Sequence, residues 1–310
     1  MSAAGRVFDR VWFRSAPAER LAALRVFTGL FACAYVFGRF PYLVSYAGFN
    51  PSSFSPIGIV AILDRPLVPA AVYFVAGLTC ALSIPFVLGW RFRLVGPAFA
   101  LLHLWTLTYR NSWGMIFHTE NLLVMHVMIL GLTRSADAWS LDTRRAGAGA
   151  AAKPHGRYGW PIMLMAVVLV VTYVLAGIAK LRYAGADWAG GEVLRNYIAT
   201  DNLRKILLGS SHSPLAVPLL ARPWLFSALA YVTLIVELGA PIALLGGRVA
   251  ALWVAAAIGF HWGVFALMVI VFPYPMIGVG FLCCFRAERT AAWFLRRWQA
   301  LRKRLPLGPK

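Results

Sequence analysis

The sequence predicts an all-α, polytopic integral membrane protein, a helical bundle of about eight transmembrane helices. Three observations predict this class. Of the 310 residues, 60% are hydrophobic and the mean hydropathy is +0.70, which leaves too little polar surface for a water-soluble domain. Apolar runs near the bilayer-spanning length of about 20 residues recur along the chain. Lysine and arginine total 30 against 11 acidic residues, a formal charge of +19. In so apolar a chain that excess marks cytoplasmic loops and contact with the anionic lipid bilayer, and nucleic acid is not an expected partner.

Taken in order, residues 1–20 form a basic, cytoplasmic N-terminal segment. Asp9, Glu19 and the interrupting Arg25 do not suit a signal peptide, so 21–40 reads as a retained first helix. It stops at Pro41, and the loop "NPSSFSP" (50–56) leads to the second helix, 67–89. The third and fourth helices follow at 94–109 and 119–133. A basic linker, "TRRAGAGAAAKPHGRY" (143–158), separates two groups of four helices. The fifth helix is 159–179, and the last three fall at 224–245, 249–271 and 275–285, bounded by Pro223 and "FPYP" (272–275). Residues 21–285 thus form one transmembrane domain without an internal repeat. The tail, 286–310, holds "AAWFLRRWQALRKRL" (291–305), a basic amphipathic stretch suited to the inner membrane surface. Cys33, Cys80, Cys283 and Cys284 lie in apolar runs with no C-x-x-C pair and read as packing residues.

Charge sets the orientation. With the N-terminus inside and eight helices alternating, 20 of the 30 cationic residues fall in inner segments and nine in outer ones. This predicts a multi-pass protein of the cell membrane with both termini cytoplasmic. It also places Lys180, at the outer end of the fifth helix, on the same side as His118 and Glu120 at the outer end of the fourth.

An ionisable side chain in lipid is costly and usually faces the bundle interior with a partner or a task. Five places qualify: Arg25 in the first helix; His118, Glu120, Asn121 and His126 in the fourth; Lys180 ending the fifth; Glu237 in the sixth; and His261 in the seventh. Each has a simpler reading. Arg25 reads as snorkelling to the inner headgroups. Glu237 is either a functional acid or a structural one, paired with Arg25 or with a residue of the fifth helix. His126 and His261 suit hydrogen-bonded packing positions, and His103 reads as structural. Lys180 either snorkels outward or turns inward while Arg182, about 160° away round the helix, takes the headgroups. His118 and Asn121 share a helix face, as do Tyr173, Gly177 and Lys180. Ala176 and Gly177 allow another helix to come close beside Lys180. His118 and His126 are eight apart and lack the H-E-x-x-H arrangement, so no metal is expected. No Gly-rich phosphate loop or G-x-S-x-G elbow occurs, so no nucleotide cofactor is expected either.

Three stretches carry a family resemblance: "SWGMIFHTENLLVMHVMILGLTRSADAWSLD" (112–142), "YVLAGIAKLRYAGADWAGG" (173–191) and "FHWGVFAL" (260–267). Together they resemble the HTTM family, the horizontally transferred transmembrane domain related to vitamin K-dependent gamma-glutamyl carboxylase, over about residues 11–285. The resemblance implies a chemistry. The carboxylase deprotonates reduced vitamin K, and oxygen converts the anion into a strong base, leaving the quinone epoxide. That base removes a proton from the γ carbon of a peptide glutamate, and carbon dioxide adds to the carbanion. The family's base lysine matches Lys180. The histidine after the S-W motif, which serves the carboxylation step, matches His118, and the F-H histidine matches His261. Trp113, Asn121, Tyr173 and Glu237 accompany them as candidates for holding a reduced quinone of the vitamin K or menaquinol type. A lysine base must be neutral, and apolar surroundings favour the uncharged amine. The departure is C-terminal: animal carboxylases continue into a large luminal region that engages the substrate propeptide, and here a basic tail follows the helices.

The resemblance thus implies a vitamin K-dependent gamma-carboxylase-like membrane protein, a quinol-dependent carboxylase or epoxidase and hence a lyase. It would act on a peptide substrate's glutamate at the outer face with a lipid-soluble quinol. Two other classes stay open: a non-carboxylating membrane factor that matures or exports a peptide partner, and a transporter, which the missing repeat and broken helices disfavour.

Overall fold

The computed structural model describes residues 3–147 and 153–304. Residues 1–2 of the N-terminal segment, 148–152 of the basic linker and 305–310 of the tail lie outside the described residues. Among those described the chain is helical, with no β-strand. In chain order the helices are α1 (Ala3–Trp12), α2 (Ala18–Gly38), α3 (Phe40–Ser45), α4 (Pro69–Leu88), α5 (Phe92–Asn111), α6 (Asn121–Gly131), α7 (Leu141–Arg145) and α8 (Gly156–Ala184). They continue with α9 (Ala186–Ala189), α10 (Glu192–Leu207), α11 (Ala216–Leu220), α12 (Pro223–Leu238), α13 (Gly247–Met268), α14 (Pro273–Met276) and α15 (Ala287–Arg304).

Four of these, α2, α4, α8 and α13, are long and apolar enough to cross a membrane, and α6 and α12 are shorter apolar helices. The chain is therefore a helical membrane protein, and among the described residues length and composition single out four spans where eight were expected. Local chemistry explains the shortfall. α5 has 20 residues but carries Arg93, His103 and Arg110. Pro241 has no N–H to offer the Glu237 carbonyl, so α12 stops at Leu238 and the chain tightens into the 3-10 turn Ala240–Leu245. The expected helix at 275–285 does not form. Gly278 takes a φ of 82° between α14, a single turn, and the 3-10 stretch Val279–Cys284. α10, in contrast, is a helix within what reads as an outer loop.

The chain divides into two compact units. The first comprises residues 1–118, 123–165 and 285–310. α2 turns Leu21, Leu24, Thr28, Ala32 and Tyr35 inward at helical spacing. The buried rings of Phe86 on α4 and Phe99 on α5 meet at 4.8 Å. α5 and α6 touch backbone to backbone: a Cβ on Gly96 would stand 2.6 Å from the Gly131 carbonyl oxygen. His126 donates from Nε2 to the Met165 carbonyl at 3.2 Å, the packing role expected of it. The tail helix α15 packs on α2, where Arg20 donates to both oxygens of Glu288 at 2.9 and 3.0 Å.

Arg25 departs from expectation. It does not snorkel: it is fully buried, donates to the Trp139 carbonyl at 2.5 Å and lies 5.5 Å from the Phe92 ring centre. The segment "ADAWSLD" (136–142) supplies the reason. The Ser140 hydroxyl caps α7 through the Thr143 amide, and Asp142 accepts the Arg91 and Phe92 amides at 2.8 Å each, capping α5 from a distant point in sequence. Fixed by these caps, the segment presents a main-chain carbonyl to a guanidinium that would otherwise seek water.

The second unit comprises residues 119–122 and 166–284. Tyr173, Trp253 and Phe281 form one aromatic nucleus; Trp188, Ala230 and Leu234 form another cluster. Val269 takes a φ of 52° and ends α13. The freed carbonyls of Ala266, Leu267 and Met268 accept from Ser213, Asn202 and Lys205, so α10 and the loop after it close that helix end.

Candidate functional site

α8 runs past the expected end at 179 to Ala184, so Lys180 is a helical residue. One turn earlier, Gly177 is the point of closest approach to α12. A Cβ there would meet Leu238 at 2.7 Å and Glu237 Cβ at 3.2 Å, so only a residue without a side chain permits the contact. Directly beside it, Lys180 Nζ donates to Glu237 Oε1 at 2.6 Å. The Glu237 side chain is 4% exposed and that of Lys180 20%. Glu237 was expected inside with Arg25 or a fifth-helix residue; its partner is the lysine of that helix. Arg182 is exposed and lies against Tyr183, so the two cations do point apart.

Trp188 on α9 covers the pair. Its ring centre is 5.2 Å from Lys180 Nζ, and its indole N–H donates to Thr233 Oγ1 at 3.2 Å. Two turns before Lys180 on the same face of α8, the Tyr173 hydroxyl lies 2.7 Å from His261 Nε2. Trp253 meets the Tyr173 ring edge-on at 5.1 Å and donates its own N–H to the Val236 carbonyl at 2.8 Å. One face of α8 therefore carries two polar pairs, Lys180–Glu237 and Tyr173–His261, walled by tryptophan and phenylalanine rings.

Such an arrangement can move protons. The 2.6 Å bond is a direct route between Nζ and Oε1. Away from water the cost of holding two charges brings the neutral amine–carboxylic acid form closer in energy to the ion pair. Glu237 Oε2 is buried without a hydrogen-bond partner among the described residues, one acceptor left open beside the amine. Tyr173 and His261 are a second pair that can share a proton. Among the described residues no three His, Cys, Asp or Glu side chains group as a metal site.

The remaining expected residues lie elsewhere. His118 and Trp113 belong to the first unit. His118 is exposed in an irregular stretch, not at a helix start, because α6 begins only at Asn121. Asn111 pins that stretch by accepting the Phe117 amide at 3.2 Å and donating to its carbonyl at 3.0 Å. Trp113 packs among Phe54, Phe49, Tyr109 and Tyr46 with ring centres 5.0 to 6.0 Å away. Burial and a hydrogen bond with Tyr42 hold the Tyr46 phenol well above its ordinary range. Asn121 is exposed at the first position of α6 and falls in the second unit. Sequence reasoning gave no role to Trp188, Thr233 or Trp253. Trp188 stands in a quoted motif, but the chain turns at Gly185 (φ 56°), and helix periodicity cannot carry it back over Lys180.

The family model of the HTTM domain matches residues 13–288. No curated protein and no solved structure matches the chain.

Proposed function

We propose, since this chain belongs to the HTTM domain family, that it is a carboxylase-related membrane enzyme in which Lys180 and Glu237 handle the proton of a reduced quinone. The observation that carries this reading is the buried 2.6 Å pair with one carboxylate oxygen open. The donor set suits such a group: an open acceptor for a hydroxyl at Glu237 Oε2, aromatic walls for a flat ring, and an amine within reach of a proton acceptor. A reduced quinone of the vitamin K or menaquinol type, when bound, supplies an acidic hydroxyl and reducing equivalents for oxygen chemistry.

At rest Lys180 is paired with Glu237. To act as base it passes its proton to Glu237 Oε1 and presents a neutral amine, with Glu237 holding the proton in reserve. Trp188 screens the amine from water, which would otherwise favour the ammonium. Tyr173 and His261 form the second proton-holding pair. In this reading Trp113 and Asn121 contribute to quinol binding, and His118 serves the carboxylation of a peptide glutamate. The protein crosses the cell membrane several times with both termini cytoplasmic, and the reaction faces outward.

The test is quinol oxidation by purified protein in detergent. Lys180→Arg keeps the charge and the pairing with Glu237 but cannot release a proton. It should lower turnover about 100-fold or more, as should Lys180→Ala. Full activity of a folded Lys180→Arg protein excludes the base role. His118→Ala should keep quinol oxidation and lose carboxylation. The direct Lys180–Glu237 contact favours one alternative, a non-catalytic factor for maturation or export of a peptide in which the pair merely fastens α8 to α12. Folded wild-type protein inert toward every quinol would select that reading.

A further inference from the structure

We propose that a cavity of about 640 Å³ within the first unit binds an anionic phospholipid, its phosphate on Arg93 and Arg157 and its acyl chain along Pro97 and Leu132. Three arginines from three separate stretches line this cavity: Arg93 in the first turn of α5, Arg134 just beyond α6, and Arg157 in the first turn of α8. No sequence run joins them; folding does. All three belong to segments that the charge count assigns to the inner side of the membrane, at helix ends where lipid headgroups lie. Phe92, Pro97, Leu132 and the half-buried ring of Trp160 supply an apolar part of the lining, and Gly131 contributes no side chain.

Two acids also line the cavity, and both are engaged. Asp142 accepts the Arg91 and Phe92 amides. Asp137 accepts the Tyr158 hydroxyl at 3.0 Å and pairs with Arg134 at 3.6 Å. Arg93 and Arg157 form no ion pair among the described residues, and both are exposed. Among the described residues two guanidinium forks thus stand without a carboxylate partner beside the apolar part of the lining, that of Arg157 with its Cζ 5.7 Å from the Tyr158 ring centre. The fork matches two phosphate oxygens better than any point charge does. The apolar lining distinguishes a phospholipid from a free phosphate, which would leave Pro97, Leu132 and Trp160 uncovered. This inference stands independently of the chemistry proposed for Lys180.

The experiment uses full-length protein, delipidated in detergent and titrated with phosphatidylglycerol, phosphatidylcholine or inorganic phosphate. Bound lipid is read by native mass spectrometry and stabilisation by thermal unfolding. Phosphatidylglycerol should bind and raise the midpoint; phosphatidylcholine and inorganic phosphate should not. The double variant Arg93→Ala/Arg157→Ala should weaken phosphatidylglycerol about 30-fold, at roughly fivefold for each lost cation. Leu132→Trp should weaken it without changing charge; Leu132 is exposed, so the variant should fold. Arg222→Ala, in the second unit, should leave binding unchanged and so rules out a general surface charge effect. Equal binding of the two lipids, or wild-type affinity in the double or the Leu132→Trp variant, overturns the proposal. So does competition by inorganic phosphate at the same concentration, which would make this a free-anion site.

Discussion

Replacing Lys180 by Met and Glu237 by Leu, singly and together, tests whether the pair is a unit. Removing one member of a buried ion pair strands the other charge, at a cost of roughly 3–5 kcal/mol. The two singles should differ. In Glu237→Leu the stranded lysine is 20% exposed and can reach water, so its cost should fall near the lower figure, about 3 kcal/mol. In Lys180→Met the stranded carboxylate is only 4% exposed, so the cost should approach about 5 kcal/mol. The double variant replaces the pair with apolar groups of similar volume and should be nearly neutral or stabilised. At an unfolding entropy of about 2 cal/mol/K per residue over 310 residues, these costs lower the midpoint by about 5 and 8 °C. Thermal unfolding in one detergent at pH 7, followed by tryptophan fluorescence, measures all four proteins. If the double variant is as unstable as the worse single, the two side chains do not compensate each other and the pairing described here is wrong.

Three further outcomes follow from the same contacts. Gly177→Leu puts a side chain where Leu238 and Glu237 already stand, and should cost about 1–3 kcal/mol and abolish quinol turnover; unchanged unfolding would show that α8 and α12 do not meet there. Asp142→Ala uncaps α5 and should cost about 1–2 kcal/mol in thermal unfolding, with Asp142→Asn recovering part; an equal midpoint for all three proteins would refute the cap. Tyr173→Phe deletes the hydroxyl bonded to His261 and should cost about 1 kcal/mol while shifting the pH profile of turnover; an unaltered profile would remove that pair from the proton route.

The class of fold, the basic segments and most helix positions were legible because they depend on local composition and on proline. Pro41, Pro223 and "FPYP" mark joints in both sequence and structure. Where the reading failed, the cause was usually a partner distant in sequence. Arg25 reads as snorkelling because nothing near it in sequence offers its guanidinium an acceptor; the Trp139 carbonyl, 114 residues away, accepts from Nη2. α10 escaped notice because its helical stretch is not apolar, and its Asn202 and Lys205 are spent on closing α13. At the candidate site, helical spacing put Tyr173, Gly177 and Lys180 on one face, and the cost of a charge in lipid turned Glu237 inward. Only packing could choose Lys180 over Arg25 as its partner.

The length of α8 gives these contacts their depth. Its 29 residues extend about 43 Å, some 13 Å more than the hydrocarbon core of about 30 Å, so its ends stand in the headgroup regions. Arg157 and Arg182 mark those two ends. Lys180 is then about 3 Å deeper than Arg182 along the axis, and Tyr173 about 10 Å deeper again. In the proposed reading, a base set just inside the lipid boundary can be reached sideways by a membrane-dissolved quinol, with the Trp188 ring covering one side of the amine. A base several turns deeper would have no outlet for the proton it receives, and one outside the boundary would remain an ordinary solvated ammonium. In that reading the 2.6 Å bond from Lys180 to Glu237 suits this intermediate depth, because the acid can hold the proton until water beyond the helix end, within about one helical turn, takes it.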